Sequence, residues 1–472
     1  FLVNVHTDIG GDTEHPYTLR VRKNDRPPAT PDEVRQALGK ALDFLASTQQ
    51  EDGSWPGHPI AGAGLSVMAF VGGECAGKDH SARLRGGLSY LKSIFTPGSR
   101  FPTGSEEAAI QAGMFGPVSS KVMYEQAIAT LAVIEACAAL GDTSLEPMAE
   151  EAIGLIVRSQ NTSRKPATLQ GPIPSDSPYY GGWRYEPGYT DSDLSVSAWQ
   201  ILTLKAAVNA GFSVPDPVFA DAAKYVRALK GTDGSFGYDY PTTTGDSCAR
   251  AGMGALSLQL CGQPQDPAIP PAVRFMQAYG PAWHLEYPGD GYPFYYWYYG
   301  TRVMYLVGGE DWRVWKDYMC RFLVDNQDGT GGWDGSQSEE GEQYVTYRAA
   351  LGALILEFCC GHVPIYMSPP RVKAPGAVRV VVEKEAEKEA PLTVEIIMDA
   401  SNSMWGQIGG EAKITIARRV LAETIGGLPD TMNVGLRVYG HRYALNDPQA
   451  CADTELAVPI GPLDKNGLIE TV

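Results

Sequence analysis

Ala41, Phe44, Leu45 and Thr48 recur at helical spacing, and Thr30-Pro31-Asp32-Glu33 ahead of them supplies an N-cap, a proline at the first helical position and an acidic third residue. The pattern predicts a helix from 31 to about 50. Gly53 then lets the chain turn, and Trp55 is expected to fold its ring back over the Gln49 amide and close the helix end. The same offsets return in Gln327, Gly331 and Trp333, with Phe322-Leu323 standing where Phe44-Leu45 does. Tyr225-Val226 followed by Gly234 and Phe236 is a weaker copy with Lys230 at the glutamine position. Leu155-Ile156 and Gln160 reach Gly182-Trp183 only across a Pro/Ser-rich insertion, and Tyr90-Leu91 and Phe275-Met276 open two degenerate copies. Six outer helices are predicted. Between them lie six apolar segments, near 61–75, 121–140, 191–210, 245–262, 293–308 and 343–361. The stretch from Ala127 to Ile134 is apolar on nearly all sides, the mark of a buried helix. Alternating outer and inner helices predict a mainly α fold, an (α/α)6 toroid with inner-helix N-termini around the mouth of a central cavity.

Composition breaks set the boundaries. Residues 1–29, with His15-Pro16 and Arg26-Pro27-Pro28, form an N-terminal extension ahead of a toroid over 30–366. The mixed-charge run from Glu383 to Glu389 marks 367–391 as a linker, and a new domain occupies 392–472. There a strand-like run from Leu392 to Met398 ends in Asp399-Ala400-Ser401-Asn402-Ser403, a helix runs to about Leu428, and Met432 to Tyr439 is a second strand.

The bulk numbers narrow the function classes. The net charge of -17 argues against nucleic acid, and no apolar run approaches the ~20 residues of a membrane span. Of eight cysteines, Cys137, Cys261, Cys320, Cys359 and Cys360 sit in helical apolar runs, where reduced core cysteine is expected. Position 1 is Phe, which leaves a signal peptide open.

The run from Lys40 to Trp55 resembles the QW motif of triterpene cyclases and protein prenyltransferase relatives, which assigns Gln49, Trp55, Gln327 and Trp333 to structure. Over about 31–366 the chain is similar to bacterial prenyltransferase/squalene-oxidase-repeat proteins, through Gly182-Trp183-Arg184-Tyr185, Asp191-Ser192-Asp193-Leu194-Ser195-Val196, Phe294-Tyr295-Tyr296-Trp297-Tyr298-Tyr299 and Val307-Gly308-Gly309. The resemblance implies the terpenoid cyclase/protein prenyltransferase toroid and no particular reaction. In squalene-hopene cyclases a D-x-D-D motif on an inner helix protonates an alkene. Asp191-Ser192-Asp193-Leu194 falls at the matching helix start, so Asp193 would be the acid and Asp191 its support. Leu194 breaks the motif, and capping of the helix is the favoured role of both aspartates. Protein prenyltransferases hold zinc through D-x-C and a later histidine. Asp246-Ser247-Cys248 mimics the first part, the histidine expected near Tyr344-Val345-Thr346-Tyr347 is missing, Cys359-Cys360-Gly361-His362 lies at the wrong helix end, and no zinc is expected. Tyr124-Glu125-Gln126 is similar to the end of the complement-type thioester motif, but with Met123 in place of a cysteine no thioester is expected.

Candidate cavity-lining residues are Glu125, Trp183, Tyr185, Tyr295, Tyr296, Trp297 and Tyr299, of which consecutive helical ones cannot all face one space. Their aromatic density favours an apolar or peptide ligand. The C-terminal segment resembles a von Willebrand factor A domain, Rossmann-like α/β and here its N-terminal half, whose D-x-S-x-S loop holds a divalent ion. That resemblance implies Mg²⁺ (or Mn²⁺) on Asp399, Ser401 and Ser403, a protein partner that completes the coordination, and later threonine and aspartate loops beyond Val472. The expected function is a binding or scaffold protein of the cell envelope or extracytoplasmic space. The alternative is a terpenoid cyclase-like enzyme with Asp193 as acid.

Overall fold

The computed structural model describes residues 2–6, 18–22, 27–102, 104–119, 121–241, 247–281, 292–334, 344–368, 393–399, 407–408, 411–427, 432–439 and 454–471. They divide into two compact units, Phe1–Pro375 and Gly376–Val472.

The first unit opens with the antiparallel pair β1 (Leu2–His6) and β2 (Thr18–Arg22), and a second, two-residue antiparallel pair, β3 (Phe95–Thr96) and β4 (Met114–Phe115), comes later in it. Helices follow in the order α1 (Pro31–Thr48), α2 (Pro59–Gly72), α3 (Ser81–Ile94), the short α4 (Glu106–Gln111), α5 (Val122–Leu140), α6 (Glu146–Arg158) and α7 (Leu194–Asn209). Then come α8 (Pro217–Ala228), α9 (Cys248–Leu260), α10 (Ile269–Tyr279), α11 (Pro293–Val307), α12 (Gly309–Asn326) and α13 (Val345–Cys359). The six inner helices pack in sequence, α2 on α5, then α7, α9, α11 and α13, and α13 returns to α2. A closed ring of this kind with an outer ring of α1, α3, α6, α8, α10 and α12 is an (α/α)6 toroid.

Why the two rings differ follows from side-chain pattern. In α1 a reciprocal cap starts the helix: Thr30 Oγ1 accepts from Glu33 N at 3.2 Å and Glu33 Oε2 accepts from Thr30 N at 2.8 Å. Only one face of it is buried, through Val34, Leu38, Ala41, Leu42 and Leu45. In α5, by contrast, every residue from Gln126 to Cys137 is buried. Pro59–Ala76 and Val122–Leu140 are long and apolar enough to cross a membrane, but they are inner-ring segments and mostly buried inside the protein.

The repeated motif is the mortar between outer helices. Trp55 folds back on the end of α1. Its indole N–H donates to Leu45 O at 2.8 Å, one of the carbonyls that the end of α1 leaves without a helical partner. The Gln49 amide is thereby free to donate to Gly53 O at 3.1 Å and, across the gap, to Arg83 O of α3 at 3.0 Å. Gln327 and Trp333 repeat this, with Trp333 Nε1 on Leu323 O at 3.0 Å and Gln327 Nε2 on Ala37 O of α1 at 2.8 Å, so the last outer helix is stapled to the first. Gly53 and Gly331 are required twice over. Their φ values are +88° and +94°, and a Cβ would stand 2.2 Å from Gly86 O and 2.3 Å from Lys40 O.

One expectation about cysteine is overturned. Cys320 of α12 and Cys359 of α13 form a disulfide, because adjacent helices bring their Cα atoms to 6.5 Å.

The second unit contains β5 (Thr393–Asp399), the small pair Gln407–Ile408 and Glu411–Ala412, α14 (Lys413–Gly427), a strand Asn433–Tyr439, a strand Thr454–Pro462 and α15 (Lys465–Thr471). Asn433–Tyr439 is the central strand of three, parallel to β5 and antiparallel to Thr454–Pro462. Met398, Ile414, Ile425, Val434, Leu436 and Leu468 form its core.

Candidate active site

The N-terminal turns of the inner helices surround a cavity of about 570 Å³. Its described wall is dominated by aromatic and apolar groups: Tyr124, Trp199, Tyr238, Tyr295, Tyr344 and Tyr347, with Leu65, Ile128 and Met253. Polar groups are few, among them His58, Lys121, Glu125, Ser195 and Arg250. Below it the toroid is filled. Trp199 stacks on Tyr298 with centroids 5.4 Å apart, and the guanidinium of the fully buried Arg302 lies 3.4 Å from the Tyr298 ring centroid. Arg302 also donates to Tyr298 O at 2.9 Å and to the Tyr366 hydroxyl.

Asp193 sits behind the wall rather than on it. It is the N-cap of α7 and is fully buried: Oδ1 accepts from Val196 N at 2.9 Å and from Ser195 Oγ at 2.7 Å, and Oδ2 pairs with Arg184 Nη1 at 3.1 Å. Capping, the role favoured from the sequence, is present. It does not exhaust the residue. Burial raises the Asp193 pKa from its ordinary value, in spite of those hydrogen bonds and Arg184. Ser195 in turn is hydrogen-bonded to the Tyr124 hydroxyl, and both Ser195 and Tyr124 line the cavity. The line Asp193, Ser195, Tyr124 therefore connects a buried acid to an apolar space. Asp191 is half-exposed and holds Arg184 Nε at 3.1 Å, which fixes the guanidinium against Asp193.

The other sequence candidates divide. Glu125 and Tyr295 are on the wall, and burial raises the Glu125 carboxyl pKa. Tyr185 packs beside the wall, stacked under Arg184 at 4.4 Å and hydrogen-bonded to Tyr238. Trp183 is corrected to a third clasp: its indole donates to Ile156 O at 2.8 Å, as Trp55 does to Leu45, while Gln160 Nε2 reaches Val218 O of α8 at 3.0 Å. Tyr296 and Trp297 are corrected too. They face the outer ring, where Tyr296 donates to Met276 O of α10 at 2.8 Å and Trp297 meets Phe322 of α12 edge-on at 5.1 Å. Tyr299 is fully buried beneath Trp199 and Tyr295 and forms floor rather than surface. The hydrogen bond between Ser195 and Tyr124 was not legible in the sequence. The signal was a serine two residues after a capping aspartate, but the tyrosine lies 71 positions away on another helix.

Of the zinc-like candidates, Asp246 is outside the described residues, Ser247 accepts from Arg250 N at 3.0 Å as the cap of α9, and Cys248 is buried. Among the described residues no three His, Cys, Asp or Glu groups are placed to hold a metal ion. Asp399 ends β5, and Ser401 and Ser403 lie outside the described residues.

No family model matches the chain. A 56-residue stretch is 43% identical to the uncharacterized protein YwmD of Bacillus subtilis (strain 168). It covers 12% of this chain and a quarter of that relative. Solved structures of similar fold include a type II terpene cyclase from Scytonema, at 13% identity and TM-score 0.44 over 70% of this chain and 98% of that one. They also include an α-1,6-mannanase from Salegentibacter (12%, 0.47, 70% and 100%) and a cellobiose 2-epimerase from Spirochaeta thermophila (12%, 0.46, 70% and 97%). The expectation of a binding scaffold is corrected at this point. These chains bear the names of enzymes, and in this chain a buried carboxyl is joined by hydrogen bonds to the cavity wall, which is what the enzyme alternative calls for. The enzyme alternative is the one carried forward, on the second ground.

Proposed function

We propose that the toroid is an enzyme that protonates an apolar, unsaturated substrate, with Asp193 as the acid. What carries the reading is the connection from Asp193 through Ser195 to Tyr124 on an aromatic wall. Protonated Asp193 passes its proton to Ser195 Oγ, Ser195 passes its own to Tyr124, and the Tyr124 hydroxyl delivers to the double bond. The cation so formed lies against the faces of Trp199, Tyr295 and Tyr347, whose quadrupoles attract positive charge. Exclusion of water by the same rings keeps the cation from being quenched. Arg184, held by Asp191, stabilises the carboxylate that the transfer leaves on Asp193; the cation ends by releasing a carbon-bound proton to solvent, and Asp193 takes one up from solvent before the next turnover. The test is product analysis by mass spectrometry after incubation with squalene, comparing the natural chain with Asp193→Asn. Cyclised or isomerised product from the first and none from the second is expected; equal conversion by both removes the assignment.

For the second unit we propose a metal-dependent docking site for a protein partner, in the manner of a von Willebrand factor A domain. Two parallel strands joined through α14, with Asp399 at the carboxyl end of β5, favour it, because ligands of such sheets gather at that edge. Asp399, Ser401 and Ser403 would hold Mg²⁺, and a partner carboxylate would complete its shell. The Cys320–Cys359 disulfide supports an oxidising, extracytoplasmic setting.

A further inference from the structure

The inner ring closes where its last helix meets its first, α13 against α2, and nearly the whole toroid lies between them in sequence. At the C-terminal ends of these two helices stands a second cavity, of about 480 Å³, remote in the fold from the aromatic one. Its wall brings together Cys75, in the 3-10 turn Gly73–Ala76 directly after α2, and Cys360, the residue that follows α13. Both side chains are half-exposed, the two thiols are near enough to act on one another, and Cys75 Sγ also reaches Gly72 O at 3.6 Å. The neighbouring Cys359 is already committed to Cys320. The end of α13 is thus tied covalently to α12 on one side and faces an open thiol pair on the side of α2.

We infer that Cys75 and Cys360 are a redox pair which a small-molecule or protein disulfide converts into a second cross-link, closing the inner ring covalently at its seam. The order of attack follows from the pair itself. The nearness of Cys75 lowers the Cys360 thiol and pushes Cys75 up, so Cys360 is the attacking thiolate. Its sulfur attacks one sulfur of RS–SR; an S–S bond to Cys360 forms and RS⁻ leaves. Cys75 then loses its proton to solvent and attacks the Cys360 sulfur, expelling the second RS⁻. Two electrons and two protons pass from the protein to the added disulfide, which ends as two RSH. The bond would fix α13 to α2, and the opposite ends of the same two helices carry His58, Ala61, Tyr344 and Tyr347 of the aromatic cavity. Oxidation therefore tightens the frame of that cavity from below.

The test uses the full chain and glutathione disulfide as oxidant, followed by iodoacetamide, tryptic digestion without reduction, and mass spectrometry. Cys359 and Cys360 share the tryptic peptide that ends at Arg371. The expected product consequently joins three peptides, carrying Cys75, Cys320 and the Cys359-Cys360 pair, and it comes with a rise in melting temperature. Finding it before treatment has the same meaning. Both the third peptide and the rise should vanish in Cys75→Ser and equally in Cys360→Ser, while the Cys320–Cys359 link persists. Glutathione adducts or carbamidomethyl groups on Cys75 and Cys360 in place of the three-peptide product overturn the inference, as does that product with an unchanged melting temperature.

Discussion

The two halves of the toroid axis are built from the same six helices and do opposite things with buried charge. In the lower half, Arg302 is wrapped by Tyr298, Tyr366 and Phe358, and the fully buried Glu357, whose pKa burial raises, lies within its field. The rings pack directly on the guanidinium and hold the charge in place. In the upper half Asp193 is as deeply buried, but one of its hydrogen bonds leads out through Ser195 and Tyr124 to an open cavity. Burial depth is alike in the two; what differs is whether the hydrogen-bond chain ends on protein or on space, and the proposed role of Asp193 rests on that difference.

The largest effect expected from this contrast is on turnover. Asp193→Asn keeps a side chain that caps a helix as well as aspartate does, so the fold should survive, while loss of the acid should cost roughly 10²- to 10⁴-fold in rate. A pH profile sharpens the point. Because burial raises the Asp193 pKa, the acid form persists to higher pH than in an exposed aspartate, and activity should fall as pH rises through the raised value. A rate that increases across that interval would contradict the role given to Asp193.

Arg302→Leu should behave in the opposite way. Removing one partner from a buried charged cluster typically costs about 3–5 kcal/mol, so a lowered denaturation midpoint is expected, with the pH profile of any remaining activity unmoved. A stable variant with an altered profile would mean that the two halves are not separate.

Much of the fold could be read from spacing, because the Gln49-Gly53-Trp55 offsets are imposed by one geometry: an indole on the last free carbonyl of a helix and a glycine pressed on the next helix. Inner helices were equally readable, since residues such as Ala127 to Ile134 leave no polar face for solvent. The cavity wall was not. Tyr295, Tyr296, Trp297 and Tyr299 are all aromatic, and which of them looks inward depends on the rotation of α11, which is set by its packing on α9 and α13. Trp183 stood both in a copy of the repeat, across an insertion from Gln160, and among the wall candidates, and only its indole on Ile156 O decides for the first. The Cys320–Cys359 bond was hidden for a related reason: an apolar helical run looks the same whether its cysteine is reduced or faces a partner on the next helix.

Smaller than either effect above is the one that divides the clasp itself. Trp55→Ala should cost about 3–5 kcal/mol, as truncation of a large buried aromatic does, whereas Gln49→Ala removes two hydrogen bonds and should cost about 1–3 kcal/mol. Denaturant titration of both gives the ratio. Equal losses would place the staple between outer helices, not the indole plug, at the centre of the repeat.

Solvent isotope labelling tests the central claim most directly. With squalene in D₂O, a proton that travels from solvent through Asp193, Ser195 and Tyr124 to the double bond must appear in the product as deuterium on carbon. The expected result is a product carrying that deuterium, formed by the natural chain and absent with Asp193→Asn. Product without deuterium, or deuterated product formed equally by Asp193→Asn, would contradict the account.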